Sequence, residues 1–453
     1  MQITFLGATR TVTGAKYLVD DGATRILVDC GLFQGEKALR LRNWAPLPVP
    51  PHTLSAVVLT HAHLDHSGYV PLLVQRGFRA AIHCSEGTRE LCRILLPDSG
   101  RLQEEEAAFA NRHSYSKHSP ALPLYTEAQA ERCLGKFAAT AFDRDVAVAP
   151  HATVRFRPAG HILGASIVTL TVRDTTIVFT GDLGRPHDPV MRPPATIASA
   201  DYLVVESTYG DRLHDPGDPA HALADVVTRT AARGGKVVIP SFAVGRAQAL
   251  LHALARLKAK GAIPPRIPVY LDSPMATDVT ALYMRFRAQH RLTADECAEI
   301  GKSAHLVTTP QQSRALDEQR MPMVIIAASG MATGGRVLHH LRALAGDPRN
   351  TILFSGYQAS GTRGAAIASG APEVKMLGDW VPIRAEVATL QGLSAHADYA
   401  EILQWLRGFA RAPKATFVTH GEAAAAEALR QRIVETLGWK AEAPEYLQTV
   451  SLD

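Results

Sequence analysis

The feature that most constrains this chain is a short run of metal-ligand side chains, Thr60-His61-Ala62-His63-Leu64-Asp65-His66. It follows a continuous apolar run over residues 56–60, which predicts a strand buried on both faces. Four potential ligands within six positions cannot all point the same way on a strand or a helix, so we expect them on a loop. Zinc accepts imidazole and carboxylate, and a catalytic zinc takes about three protein ligands. Four ligands in one run therefore indicate two ions.

Two later segments offer the further ligands that two ions would need. His161 stands between glycines after one predicted strand, and Asp182 stands at the end of another. A carboxylate in that position can bridge two cations about 3.5–4 Å apart. Asp29, at the end of an apolar run, is better placed to hold the tautomer of a ligating imidazole than to bind metal itself. Taken alone, a histidine or aspartate in such a loop more often has a structural role.

The order His61-x-His63-x-Asp65-His66, followed by His161 and Asp182, resembles the metallo-β-lactamase superfamily, whose members are αββα sandwiches of two mixed sheets. The resemblance implies a hydroxide that bridges two zinc ions and acts as the nucleophile. It implies one zinc bound by His61, His63, His161 and Asp182, and a second bound by Asp65, His66, Asp182 and one further histidine. Sites built from histidine and aspartate also take manganese, so Mn²⁺ is an alternative to zinc.

Three further motifs narrow the substrate. Glu206 ends a strand in residues 204–210, His396 precedes a helix in residues 393–399, and His420 follows a buried strand. Together they resemble the β-CASP branch, which cuts nucleic acids and includes ribonuclease J and the endonuclease subunit of the cleavage and polyadenylation specificity factor. The resemblance covers nearly the whole chain and makes His420 the remaining ligand of the second zinc. A histidine at this position is typical of RNA-directed members, whereas the DNA-repair members carry an apolar residue.

The pair Glu206 and His396 suits the chemistry of phosphodiester hydrolysis, and the resemblance places both near the scissile phosphate. The reaction must protonate a poor alkoxide leaving group. A histidine whose other ring nitrogen is held by a carboxylate can donate that proton. We therefore predict His396 as the general acid and Glu206 as the residue that orients it. With Asp65, these are the residues that we expect to act in catalysis.

The order of predicted elements divides the chain. Short β-branched runs fill the first two hundred residues, whereas strands alternate with helices after Glu206, which predicts a parallel sheet flanked by helices. We expect an α/β protein: a metallo-β-lactamase αββα sandwich over residues 1–208 and 386–453, with an inserted α/β β-CASP cap domain over residues 209–385. For residues 97–145 we expect helices and a surface loop. The adjacent His339 and His340 are predicted to be surface residues of a helix.

Glycine-containing loops of the inserted region suit phosphate. Residues 329–336 follow a buried strand and open a helix, where glycines let the backbone approach an anion and free N–H groups favour one. Residues 241–246 and 355–362 have the same character, and all three segments resemble family segments that line the RNA groove. Ordinary loops without a ligand are the alternative. Ala365 stands where related chains often carry arginine. The predicted phosphate-binding residues are Ser241, Arg246, Ser329, Gly330, Thr333, Gly334, Gly335, Arg336, Ser355 and Thr362.

Composition bounds the remaining expectations. The net charge of +5 permits a polyanionic partner without requiring one. Five scattered cysteines without a C-x-x-C pair indicate reduced thiols in a cytoplasmic protein. No apolar run approaches the roughly 20 residues that cross a bilayer, and the first residues lack a signal-peptide pattern. We expect no membrane partner, no N-terminal RNA-binding module and no long C-terminal extension.

These observations predict a zinc-dependent ribonuclease that cuts single-stranded RNA, by preference endonucleolytically, and leaves a 5′-phosphate and a 3′-hydroxyl. A homodimer is common in the family that the chain resembles. Two alternatives stay open: a small-molecule ester or thioester hydrolase of the same fold, and a catalytically silent RNA-binding subunit. Binding that weakens steeply with salt would favour RNA over a neutral ester. Tight stoichiometric zinc would count against a silent subunit.

Overall fold

The computed structural model describes residues 1–114, 116–390 and 392–453. The chain forms two compact units: unit 1 comprises Met1–Leu213 and His396–Asp453, and unit 2 comprises His214–Ala395. The bounds expected from the sequence were 208/209 and 385/386. Unit 2 extends past the second of these because the strand Glu386–Thr389 pairs with Thr351–Phe354 in its sheet.

Strands form the sheets of both units in the described ranges. In chain order they are β1 Gln2–Phe5, β2 Tyr17–Asp20, β3 Arg25–Val28, β4 Ala56–Val58, β5 Ile82–Ser85, β6 Phe137–Thr140, β7 Asp145–Ala149, β8 Ala152–Pro158, β9 Ser166–Val172, β10 Thr175–Phe179, β11 Tyr202–Val205, β12 Val237–Pro240, β13 Val269–Asp272, β14 His305–Leu306, β15 Val324–Ala327, β16 Thr351–Phe354, β17 Glu373–Met376, β18 Asp379–Pro382, β19 Glu386–Thr389, β20 Ala415–Val418, β21 Ala441–Glu442 and β22 Thr449–Ser451.

Helices connect these strands and cover the sheets. In chain order they are α1 Lys37–Leu41, α2 Leu64–Ser67, α3 Val70–Gln75, α4 Glu86–His113, α5 Glu127–Cys133, α6 Pro219–Ala232, α7 Arg246–Ala259, α8 Pro274–Arg285, α9 Ala294–Lys302, α10 Pro310–Glu318, α11 Val337–Leu344, α12 Arg363–Ala368, α13 Tyr399–Leu406 and α14 Ala423–Leu437. None of these described helices combines the length and apolar character that a membrane span requires.

Unit 1 is a sandwich of two mixed sheets with helices on the outer faces. The first sheet has the order β22-β1-β2-β3-β4-β5-β6, and the second has the order β21-β20-β11-β10-β9-β8-β7. Their inner faces share one apolar core, in which the ring of Phe5 lies 5.1 Å from that of Phe417. Alternating apolar residues on β8 and β9 explain this packing, because every second side chain points inward. This is the αββα architecture that the sequence predicts.

Unit 2 is built on a six-stranded parallel sheet with the order β14-β13-β15-β12-β16-β19. Strands such as β15 are buried along their whole length, as expected when helices cover both faces of a parallel sheet. The hairpin β17–β18 packs Val374, Met376 and Val381 against the same core. The predicted α/β character of the inserted region is confirmed.

Local departures from the prediction lie in short or remote elements. The ligand-rich run is not all loop, because Asp65 and His66 belong to α2, a helix of four residues. Residues 97–145 contain the end of α4, which begins at Glu86 with a capping hydrogen bond from Thr88 N to Ser85 Oγ (3.1 Å), then α5 and β6. His339 is exposed as predicted, but His340 is fully buried.

Candidate metal centre

The predicted site residues of unit 1 lie at the carboxyl ends of its strands. Because β10, β11 and β20 are parallel neighbours, their carboxyl ends share one edge of the second sheet. The residues and the strands that they follow are His61, His63, Asp65 and His66 after β4, His161 after β8, Asp182 after β10, Glu206 after β11 and His420 after β20.

The loop after β4 is fixed by a close backbone approach. Ala15 N donates to the carbonyl oxygen of Asp65 (2.8 Å), and Cys30 N donates to that of His66 (2.7 Å). A Cβ atom on Gly31 would lie 1.5 Å from the carbonyl oxygen of Asp65, so glycine is the residue that allows this approach. The contact sets the direction in which the Asp65 and His66 side chains leave the backbone.

A first cluster joins three imidazoles and one carboxylate. His63 Nδ1 lies 3.2 Å from the Nε2 atoms of both His61 and His161. The same two Nε2 atoms each lie 3.3 Å from Oδ2 of Asp182. One ligand atom from each of these four residues lies within 4.8 Å of the others, which is a spacing that can hold one metal ion.

A second cluster adjoins the first through Asp182. His66 Nε2 lies 3.0 Å from His420 Nε2, which lies 3.4 Å from Oδ2 of Asp65. Oδ1 of Asp182 lies 3.2 Å from His66 Nε2, while Oδ2 faces the first cluster. The two oxygens of Asp182 therefore face two different groups of nitrogens. All seven predicted ligands are brought together here.

Neighbouring hydrogen bonds set the tautomers of these imidazoles. Nδ1 of His66 donates to Oδ2 of Asp29 (2.8 Å), and Asp29 also accepts from the backbone N–H (2.8 Å) and hydroxyl of Thr60. Because the Thr60 hydroxyl donates to Asp29, its oxygen can accept the Nδ1 proton of His61 (3.1 Å). Both arrangements leave Nε2 as the nitrogen with a lone pair toward the cluster.

Sequence reasoning identified Asp29 but missed the threonines. Thr208 has the same relation to His420 as Thr60 has to His61: its hydroxyl donates to the His420 carbonyl (3.2 Å) and lies 3.3 Å from Nδ1. Both threonines are buried beside strand ends. The signal that could have revealed Thr60 is its position at the end of a buried strand, immediately before a ligand run.

Glu206 and His396 form a pair beside the two clusters. Glu206 is fully buried and accepts hydrogen bonds from Leu183 N (2.7 Å) and Thr208 N (3.1 Å). Its carboxylate accepts from Nδ1 of His396 at 3.0 and 3.2 Å. Nε2 of His396 lies 4.0 Å from Oδ2 of Asp182, and the His396 side chain is 18% exposed. The imidazole is thus held on one side by Glu206 and faces the clusters on the other.

Burial and charge divide the histidines into two groups. Burial lowers the pKa of His63 to about 3, and burial together with neighbouring imidazoles lowers the pKa values of His61 and His161. Burial also opposes protonation of His396 and His66, but nearby carboxylates outweigh it. Glu206 and Asp182 raise the pKa of His396 to about 9, and Asp182 and Asp29 raise that of His66. The first group is therefore neutral at neutral pH, as metal binding requires, whereas His66 would have to release a proton when a metal binds.

The predicted phosphate loops lie in unit 2. In residues 329–336, the Ser329 hydroxyl accepts from Thr333 N (3.0 Å) and Gly334 N (3.3 Å), which gives the loop a tight turn. Thr333 is exposed, and no atom lies within 4 Å of where a Cβ on Gly334 would stand. The Thr333 side chain is therefore accessible and the space beside Gly334 is open, whereas the N–H groups of both residues are engaged by Ser329.

Other predicted phosphate contacts are turned inward. Ser241 and Ser355 are buried, and the Ser241 hydroxyl donates to the carbonyl of Phe242. Thr362 is buried and caps α12 by accepting from Ala365 N (3.1 Å). Arg246 is partly exposed at the start of α7. The structure thus gives the buried hydroxyls roles within the fold.

Arg336, a predicted phosphate contact that is partly exposed, takes part in an ionic network within unit 2. Its guanidinium pairs with the fully buried Asp272 and donates to two backbone carbonyls. Asp272 also accepts from Nε2 of His340 (2.7 Å), whose Nδ1 donates to Asp317 (2.6 Å). These partners correct the predicted surface placement of His340, because its imidazole is held by two internal carboxylates. The phosphate contact of Arg336 stays a prediction.

Comparisons with known proteins agree with this geometry. Family models match three stretches: the metallo-beta-lactamase superfamily over residues 13–240, the Beta-Casp domain over residues 247–367, and the Zn-dependent metallo-hydrolase RNA specificity domain over residues 380–444. A solved structure of a protein of unknown function from Enterococcus faecalis V583 has a TM-score of 0.53 and 14% identity over 99% of each chain. At that identity the likeness concerns the fold alone.

Two curated relatives are similar over most of the chain. Ribonuclease TTHA0252 from Thermus thermophilus is 37% identical over 429 residues, which cover 93% of each protein. Transcription termination factor FttA from Methanosarcina mazei is 30% identical over 477 residues, which cover 100% of this chain and 72% of the relative. The chain therefore belongs to the β-CASP branch of the metallo-β-lactamase superfamily, a family of metal-dependent hydrolases.

Proposed function

We propose that this chain is a ribonuclease that hydrolyses phosphodiester bonds of single-stranded RNA at a two-zinc centre. The observation that carries the proposal is Asp182, whose two carboxylate oxygens face two separate groups of imidazole nitrogens. Similarity to a ribonuclease and to a transcription termination factor supports RNA as the substrate, as does the match to an RNA specificity domain.

The donor atoms fit zinc. Zinc in tetrahedral coordination, with bonds of about 2.0–2.1 Å, sets neighbouring donor atoms about 3.3 Å apart. The nitrogen–nitrogen and nitrogen–oxygen distances in the two clusters are 3.0–3.4 Å. Manganese is the alternative ion. We assign one ion to His61, His63, His161 and Asp182, and the other to Asp65, His66, His420 and Asp182.

Two zinc ions bound there would supply the Lewis acidity that activates water and stabilises charge on the phosphate oxygens. The protein positions the ligands for this task. Asp29 accepts a hydrogen bond from Nδ1 of His66. The hydroxyl oxygens of Thr60 and Thr208 face the Nδ1 atoms of His61 and His420, respectively. Each of these imidazoles thereby presents Nε2 to the centre.

His396 is our proposed general acid. Glu206 is fixed by two backbone N–H groups and holds Nδ1 of His396, so that Nε2 points toward the clusters. From there Nε2 can give its proton to the departing 3′-oxygen as the phosphorus–oxygen bond breaks, which leaves a 3′-hydroxyl, a 5′-phosphate and a neutral imidazole. Glu206 acts by orienting the ring.

Unit 2 contributes the accessible loop at Thr333 and Gly334, which we propose as a phosphate contact. Contacts to phosphate position a strand without reading its bases, so weak sequence preference is expected. We also propose that the cleavage is endonucleolytic, within single strands. We also propose that the protein is a homodimer. We propose residues 1–208 and 386–453 as the metallo-β-lactamase domain and residues 209–385 as the β-CASP domain.

The test is cleavage of a 5′-labelled single-stranded RNA and of the matching DNA by wild type, His396→Asn and His151→Asn. Asparagine at position 396 can still face Glu206, but its amide is too weak an acid to protonate the leaving group. His151 is an exposed control in the β7–β8 turn, with a positive φ of 57° that asparagine tolerates. We expect preferential RNA cleavage by wild type and His151→Asn, and a loss of roughly 10²–10⁴-fold in His396→Asn with metal content unchanged.

Product lengths and metal content decide the alternatives. Internal fragments that appear from the first turnover support endonucleolytic cutting, whereas single nucleotides alone contradict it. If all three proteins hold about two zinc ions per chain and none cuts RNA, the substrate proposal fails, and small esters and thioesters are assayed next. If His396→Asn cuts as fast as wild type, the proposed general acid is wrong.

A further inference from the structure

Unit 1 carries an exposed basic segment with a tryptophan between β3 and β4. The helix α1 has no buried residue. Leu41 and Trp44, three positions apart, are 54% and 51% exposed. Lys37 and Arg40 are exposed on the same segment. We call these four residues the Trp44 surface.

The backbone that carries Trp44 is held firmly. Arg76 donates to the carbonyl oxygens of Trp44 (3.0 Å) and Ala45 (2.8 Å). The buried Asn43 side chain accepts from Phe33 N (2.9 Å) and donates to Phe33 O (2.8 Å). Because the backbone is fixed from both sides, binding to Trp44 would require little further ordering of this segment.

The hydrogen bonds between Asn43 and Phe33, together with one from Leu32, connect the Trp44 surface to the segment that carries the candidate metal ligands. Leu32, which precedes the Phe33 clamped by Asn43, donates from its N–H to the carbonyl of Leu64 (2.8 Å). Leu64 immediately precedes Asp65. The surface and this segment are therefore parts of one hydrogen-bonded assembly within unit 1.

Charge selects the kind of partner. Lys37, Arg40, Arg42 and Arg76 are cations, and Glu36 is the acidic residue on this segment. Arg42 stacks on Tyr446, with its guanidinium carbon 4.0 Å from the ring centroid, and Arg76 is engaged with carbonyls. Lys37 and Arg40 therefore supply the exposed charge beside the tryptophan. A second copy of the chain would present the same cations and be repelled, whereas a polyanion is attracted.

We propose that the Trp44 surface binds single-stranded RNA. One base stacks on the indole of Trp44, and Lys37 and Arg40 contact adjacent phosphates. Aromatic rings beside cations are the usual means of binding single strands without reading sequence, since every base has a flat face. This inference rests on the proposed function for its ligand class and adds a contact outside the metal centre and outside unit 2.

The experiment measures binding of a fluorescent oligoadenylate of about 12 nucleotides across a range of salt concentrations. The His396→Asn protein is used so that the RNA stays intact. Trp44→Leu keeps an apolar side chain but removes the stacking face, and Trp44→Phe keeps a ring. Lys37→Gln with Arg40→Gln removes the exposed charge. Lys440→Gln is the control. Lys440 is exposed at the amino end of β21, whereas His420 follows the carboxyl end of the parallel neighbour β20.

We expect Trp44→Leu to bind roughly 5- to 100-fold more weakly, with Trp44→Phe close to the parent. The slope of log affinity against log salt should stay unchanged in Trp44→Leu. It should fall in magnitude by about 1.4 in the Lys37/Arg40 double variant, which corresponds to about 0.7 per phosphate contact on a single strand. Lys440→Gln should match the parent in both respects.

Three outcomes would overturn the inference. If Trp44→Leu binds RNA like the parent while the wild-type enzyme cleaves RNA, the Trp44 surface is not a binding site and the proposed function stands. If the wild type neither binds nor cleaves RNA, the inference and the proposed function fail together. If light scattering shows that Trp44→Ala converts a dimer to a monomer without changing RNA affinity, the surface is an interface between copies.

Discussion

Replacing Asp29 by asparagine separates ligand positioning from the ligands themselves. Asp29 is fully buried and has a positive φ of 57°, a region that asparagine tolerates, so the backbone need not move. Its Oδ1 accepts from Thr60 N and its Oδ2 accepts from Nδ1 of His66, both at 2.8 Å. An amide has one oxygen, so it can satisfy only one of these donors.

The magnitude follows from that conflict. If the amide oxygen stays on Thr60 N, its NH₂ faces Nδ1 of His66 and drives the imidazole proton to Nε2, the atom that faces His420. If the amide turns over, Thr60 N is left facing a donor, and an unsatisfied buried donor costs about 1–3 kcal/mol. Loss of the residue that orients a metal-bound histidine costs about 10- to 100-fold in metal affinity, or about 1.4–2.8 kcal/mol. We therefore expect one zinc to bind 10- to 100-fold more weakly, since His61 meets Asp29 only through Thr60.

The assay is competition for zinc between the protein and a chromogenic chelator, with stoichiometry read at each step. Asp174→Asn is the matched control, because Asp174 is exposed in the β9–β10 turn. Circular dichroism should show the same fold in both variants. Two zinc ions bound by Asp29→Asn with wild-type affinities would refute the reasoning, because the carboxylate would then have no part in presenting Nε2.

Three further predictions test other parts of the structure. Burial opposes protonation of His340, but two carboxylates raise its pKa from an ordinary 6.5 to about 9. The protonated imidazole should therefore contribute about 3 kcal/mol to folding stability below pH 6.5, and this contribution should be lost as the pH rises through about 9. His340→Gln should flatten this pH dependence of stability, as measured by hydrogen exchange of residues 337–344. Gly31→Ala should lower unfolding stability by more than about 2 kcal/mol and reduce bound metal, because its Cβ would strike the Asp65 carbonyl. Removing zinc with a chelator should lower the melting temperature, and restoring zinc to about 100 times its Kd should return about 2.7 kcal/mol.

Each of these has a contrary outcome. An exchange rate in wild type that depends on pH between 6.5 and 9 just as it does in His340→Gln would remove the role of the buried imidazolium. A folded Gly31→Ala protein with full metal content would show that the backbone can separate without cost. A melting temperature indifferent to the chelator would mean that zinc does not bind the folded chain preferentially.

The donor residues could be predicted from the sequence because their order along the chain is distinctive and each follows a buried strand. The carboxyl ends of parallel strands share one edge of a sheet, so residues that follow such strands lie close together in space. The same reasoning identified Asp29. It did not identify Thr60 and Thr208, because a threonine at a strand end is common and only the three-dimensional structure shows which imidazole its hydroxyl faces.

Structural features that depend on residues distant in the sequence could not be predicted from the local sequence pattern. A four-residue helix such as α2 is too short to show a period. His340 was predicted to be a surface residue because the carboxylates that bind it, Asp272 and Asp317, lie far away in sequence. Local pattern also does not show that the edge strand β19 lies in unit 2, because its pairing with β16 is what places it there.

The order in which the chain is synthesised gives the divided layout of unit 1 a temporal consequence. His61, His63, His161 and Asp182 all precede unit 2, so a nascent chain could gather the first cluster early. His396 and His420 come after it, and strand β20, which leads to His420, must enter the second sheet between β11 and β21. The second cluster and the pair of Glu206 and His396 can therefore be completed only after unit 2 and the segment that follows it have been synthesised, later than the first cluster.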